Sequence, residues 1–181
     1  MGTRWESVFI RCKEEKLAEV AEAAKELLPY VFRGRLSLDV FHVTGSCDVY
    51  SIECTGFRAG PMPLTEVPSG AIGLSLQAVS NAVQRSSGSS AELALAILAS
   101  SVLGNAAWLY YSDATGQSAG AWFSHGTSTR TFRADDTTEP DFNRAFVAAV
   151  REFVPGMEYV DDDLLNAVYE GKSVISLPVS G

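Results

Sequence analysis

The side chains able to attack a bond, shuttle a proton or hold a soft metal are few. Three cysteines (Cys12, Cys47, Cys54) and two histidines (His42, His125) are the whole thiol and imidazole inventory of 181 residues. A nucleophile needs a base within hydrogen-bond reach and a third group to orient that base. One grouping could meet this. Cys47 and His42 flank one expected turn and His125 and Asp113 belong to a second hairpin, so Cys47 or a hydroxyl could meet His125 if the hairpins share a sheet. That arrangement would make the chain a small hydrolase-like enzyme. Five soft ligands spaced this way match no zinc pattern.

Carboxylates are plentiful and clustered. Fourteen Lys and Arg against 22 Asp and Glu give a net charge of −8. Residues 135–170 hold ten of the acidic groups and only Arg144 and Arg151 in return, so this stretch equals the whole net charge. Asp135 and Asp136 precede one expected helix, and Asp161, Asp162 and Asp163 open another. Adjacent aspartates on a helix diverge by about 100° each, so the trio does not converge on one ion. The alternating spacing of a calcium loop is absent as well. No metal or cofactor is expected. An acidic balance also argues against nucleic acid, whose backbone demands a basic footprint.

Gly171-Lys172-Ser173 ends like a phosphate-binding loop, but Asn166 stands where the opening glycine belongs. A helix also precedes it and a strand-like tail follows, the reverse of the order that aims a helix N-terminus at phosphates. There is no G-x-G-x-x-G, and Gly73-Leu74-Ser75-Leu76-Gln77 lacks the second glycine of a nucleophile elbow.

The elements that must position these residues follow from periodicity. Ser7–Cys12 alternates as a strand, and Lys13–Leu28 carries Leu17, Val20, Ala24 and Leu28 at helical spacing, with Pro29 as its end. Leu36–Val43 and Asp48–Thr55 form a hairpin around Thr44-Gly45-Ser46-Cys47, followed by a long connection, 56–73. A disulfide between Cys47 and Cys54 is geometrically open, but the odd cysteine count reads better as small apolar side chains on strands. Leu74–Arg85 and Ala91–Leu103 read as helices, the second apolar almost all round, so that it is central to the core or covered by a partner. Ala106–Ser112, Ser118–Ser124 and Thr127–Arg133 make an antiparallel meander. Glu139–Val154 and Asp161–Glu170 are the last helices.

This order predicts an α+β fold of antiparallel hairpins packed with four to five helices. It is one domain, with 1–73 and 74–181 as possible similar lobes. A composition that is 46% apolar and 20% charged supports a full core without staples. The N-terminal apolar run Val8–Ile10 is too short for a signal peptide core and the longest apolar run, Ala91–Leu103, is too short for a membrane span, so a soluble cytoplasmic protein is expected.

With no catalytic motif and the charge concentrated, the leading expectation is a non-enzymatic protein-binding module for a basic protein. In composition and size, though in no motif, it resembles the small acidic inhibitors that neutralise a basic toxin or nuclease (immunity proteins). Asp135, Asp136, Asp161, Asp162 and Asp163 would make the contact, with Trp122 as aromatic anchor. Trp122 belongs to a dense aromatic group with Trp108, Tyr110, Tyr111 and Phe123. Ala119–Ala121 would leave a shallow groove beside the large rings. A self-associating subunit or homodimer, joined through Ala91–Leu103, is a further possibility.

Overall fold

The computed structural model describes residues 4–31, 33–59, 91–135, 142–159 and 175–180. Seven strands form one antiparallel sheet: β1 (Arg4–Arg11), β2 (Arg33–His42), β3 (Val49–Ala59), β4 (Asn105–Ser112), β5 (Gln117–Ser124), β6 (Thr127–Asp135) and β7 (Ile175–Ser180). Their spatial order is β6-β5-β4-β1-β3-β2-β7. Strand β1 is the hinge of this order. Its Val8 pairs with Ile52 of β3 on one side and Trp108 of β4 on the other. The N-terminal hairpin and the meander are thereby one sheet.

The expectation of four to five helices is corrected. Among the described residues there are three α-helices: α1 (Leu17–Val31), α2 (Ala91–Leu103) and α3 (Phe142–Val150), with a 3-10 turn at Glu14–Lys16. The helices expected at 74–85 and 161–170 lie outside the described residues. The helix expected over Glu139–Val154 is helical at Phe142–Val150, after which the backbone turns through Val154 N–H to Val150 O at 2.8 Å. Strands took more chain than their alternation suggested: β3 runs on to Ala59, into the expected loop, and β6 to Asp135. Helix α1 also continues two residues beyond Pro29, which sits in its last turn, where the missing N–H costs little further helix.

Alternation along each strand feeds two cores, one per face. On one face Val8, Ile10, Leu38, Val40, Ile52 and Ala106 meet Leu17, Val20, Ala24 and Leu28 of α1 and the length of α2. On the other Trp5, Phe9, Leu109 and Tyr111 meet Phe146, Ala149 and Val150 of α3. Phe153 stacks on Phe9 at 4.8 Å, and Trp5 meets Phe146 edge-on at 5.3 Å. Pairs of this kind add about 0.5–1.5 kcal/mol beyond their burial.

Helix α2 is buried without a break from Ala91 to Ser100, so its all-round apolarity is answered by its own chain. It stops at Gly104, whose φ of 97° suits a left-handed cap and whose N–H returns to Ser100 O at 2.8 Å. The β5–β6 turn docks on this end. His125 and Gly126 both have positive φ, 48° and 80°, as a two-residue type I′ turn requires. His125 N–H donates to Gly104 O at 2.9 Å and Gly126 N–H to Ser100 Oγ at 3.0 Å.

Candidate protein-binding surface

Register places three rows of side chains across strands β1, β4, β5 and β6 on the face that carries α1 and α2. They are Val8, Trp108, Ala121 and Thr131; Glu6, Tyr110, Ala119 and Arg133; and Arg4, Ser112, Gln117 and Asp135. Val8, Ala121 and Ser112 of these rows are buried, Trp108, Tyr110, Ala119, Gln117 and Asp135 are half-buried, the Glu6 side chain is close to buried, and Arg4, Thr131 and Arg133 are exposed. Two large rings thus stand beside two alanines, Ala119 half-buried and Ala121 buried. Trp108 and Tyr110, two residues apart on β4, lie nearly parallel, with centroids 6.2 Å apart and planes at 15°.

A carboxylate lies under this shelf. The Glu6 side chain is only 9% exposed; its Oε1 accepts the Trp108 Nε1–H at 2.7 Å, and Arg4 Nη2 stands 3.7 Å from its Oε2. The Trp108 bond fixes the indole by its polar edge and leaves its apolar body for packing. The Arg4 guanidinium carbon is 5.7 Å from the Tyr110 ring centroid, at the outer range of a cation–π contact.

The second exposed-strand tryptophan is held differently. Trp122 is on the opposite face, beside Phe132. The Arg130 guanidinium lies 3.6 Å over its ring, its Nε1–H donates to Glu152 Oε2 at 3.1 Å, and Glu152 also pairs with Arg130. Arg11 bridges from Asp48, at 3.2 Å, to the Glu152 carbonyl at 3.5 Å. Gly120 makes this face possible: a Cβ there would stand 2.5 Å from Phe132 Cε1 and 2.8 Å from Leu109 Cδ2.

Of the residues singled out by sequence, Asp135 ends β6 in the outermost row of the shelf face, whereas Trp122 faces away from it. Trp122 also lies five positions along β5 from Gln117, the partner of Asp135, a rise of about 17 Å. Asp136, Asp161, Asp162 and Asp163 lie outside the described residues.

The nucleophile grouping is also pulled apart. Cys47 is in the β2–β3 turn and His125 in the β5–β6 turn, at the same end of the sheet but four strand spacings apart, about 19 Å. Asp113 is in the β4–β5 turn, at the other end of β5 from His125, about 27 Å away. Serine hydroxyls at the His125 turn are already engaged: Ser100 and Ser101 both donate to Ile97 O at 2.9 Å. Ser7 and Ser51 pair at 2.6 Å but are wholly buried. All three cysteines are free. Burial, with Asp48 nearby, pushes the Cys12 thiol up and away from the reactive thiolate. A small cavity lined by Leu17, Val20, Leu38, Val40, Ile52 and Leu95 is apolar and brings no chemistry. Among the described residues no three His, Cys, Asp or Glu converge as a metal site, and no helix is long and apolar enough to cross a membrane.

Glu6 and Arg4 are the residues that sequence reading missed. Extending the alternation of Val8 and Ile10 backward by two and four positions puts both on the shelf face, but the expected strand began at Ser7. No protein-family model, curated protein or solved structure matches this chain.

Proposed function

We propose that this is a binding protein for another, basic protein, docked on the Trp108–Tyr110 shelf. One observation carries the reading: two nearly parallel, half-buried rings, Trp108 held at its indole N–H by Glu6, are bordered by Ala119 and Ala121, with charged groups around them. Large amphipathic rings set at the centre of a patch and ringed by polar groups are what interface hot spots are made of. The net charge of −8, matched by residues 135–170, supports a basic partner, because opposite charge speeds encounter and excludes acidic competitors. A small acidic inhibitor of a basic enzyme is the specific activity that this combination fits.

The test is association of the captured partner with wild type and with a variant carrying Asn at Asp135, Asp136, Asp161, Asp162 and Asp163. Steering by these groups predicts association about tenfold slower at low salt and a flatter salt dependence. Equal rates and slopes would reduce the acidic stretch to a solubilising role.

A further inference from the structure

We propose that the chain pairs with a second copy of itself along the open edge of β6, so that one sheet runs through both copies. The inference does not rest on the shelf reading. The sheet has two edges, β6 and β7, and they are not alike. Strand β7 is six residues long and carries Pro178, opposite Ser37 of β2. An edge strand tolerates proline with its missing N–H on the open side, so that side lacks a donor and has a ring in the way. Strand β6 is nine residues long and contains no proline. Its Thr127–Thr131 and Arg133 are exposed, and among the described residues β5 is the only strand that pairs with it. An edge of this kind is a template for another strand.

The backbone phase of β6 selects the occupant. The two-residue turn at His125-Gly126 aims the Thr127 N–H at Ser124 of β5, so Ser128 faces outward. At the register shift Thr129 and Arg130 together oppose Trp122, which resets the alternation. Beyond it Phe132 and Ala134 bond toward β5, and the N–H and C=O of Thr131 and Arg133 point to the open side. Outward groups must meet outward groups, so a two-fold antiparallel pairing centres on Thr131, Phe132 or Arg133. Centred on Arg133, it opposes two guanidinium groups, which is destabilising. Centred on Thr131, it sets Arg133 against Thr129, whose backbone belongs to the bulge. Centred on Phe132, each Thr131 exchanges both backbone bonds with Arg133 of the other copy. Phe132 then meets its own counterpart, a favourable aromatic pair, and Arg130 faces Ala134, so no like charges are opposed. Because β7 is blocked, this contact closes at two copies and does not grow into a filament. The contact is thus made by β6 and not by α2, whose Ala91–Ser100 its own chain buries.

The experiment joins sedimentation with residue-resolved amide hydrogen exchange on the purified chain. A contact of this size fits a dissociation constant of about 10–100 µM. Between about 1 µM and about 500 µM protein, the Thr131 and Arg133 amides should become about tenfold slower to exchange, with Ser128 unchanged. Thr131→Pro removes an outward donor and leaves the bonds to β5 in place, so it should weaken the dimer by about tenfold or more. Thr131→Val keeps that donor and should dimerise as wild type does. A monomer at every concentration, exchange that ignores concentration, or equal dimerisation of the Pro and Val variants would overturn the inference. If Thr131→Pro does not fold, exchange in the wild type decides alone. Protection of Thr131 and Arg133 that arises only with a captured protein would assign the edge to a strand of that protein, and would overturn it too.

Discussion

Trp108 and Trp122 stand on neighbouring strands of one hairpin, and their surroundings differ in kind. Around Trp122 the chain has closed its own contacts: an arginine covers the ring, a glutamate takes the indole N–H, and the same glutamate ties the two together. Around Trp108 the indole N–H goes to Glu6, the ring lies beside Tyr110 and packs on the edge of the α1–α2 core, and the facing positions on β5 and its neighbour are alanines. A tryptophan whose ring face and N–H both belong to its own chain contributes to holding that chain. A half-buried tryptophan held at its polar edge and along one side keeps the rest of its ring rigid at small entropic cost, which is what a partner can use.

Four substitutions bear on this difference. Gly120→Val should have the largest effect, about 3 kcal/mol of lost stability in chemical denaturation, because its side chain enters the space of Phe132 and Leu109 on the closed face. Its neighbour Ala119→Val, on the shelf, should stay within about 0.5 kcal/mol. A similar cost at both would mean the shelf is as closed as the Trp122 face. Next comes Trp108→Ala, which should weaken partner association by about 2 kcal/mol in titration calorimetry, with Trp122→Phe changing it less than about twofold. Glu152→Ala should remove about 1 kcal/mol of stability, the scale of an exposed charge pair plus one indole hydrogen bond, and leave association unchanged. Smallest is Arg4→Ala, expected within about 0.5 kcal/mol in thermal unfolding because its ion pair is long and exposed.

Much of the architecture was legible because it is local. Period two marked the strands, helical spacing marked α1, and the uninterrupted apolar run Ala91–Leu103 marked a central helix. What could not be read was long-range. Nothing in Arg4–Arg11 says that it lies between β3 and β4, yet that placement joins both hairpins and brings Glu6 under Trp108, 102 positions away in sequence. The contacts of Trp122 were not legible either, because Glu152, 30 residues on, and Arg130, beyond the register shift in the β5–β6 pair, meet it only in the folded chain. Helix α3 ends earlier than its spacing suggested for the reverse reason: apolar spacing of three and four past Val150 is met by turns that tuck Phe153 onto Phe9.

The most direct test is quantitative capture from native lysate by wild type, Ala119→Arg and Trp122→Phe run side by side. A basic protein retained by wild type and Trp122→Phe and lost with Ala119→Arg is the predicted result. Retention by Ala119→Arg with loss in Trp122→Phe would contradict it and move the contact to the Arg130–Glu152 face.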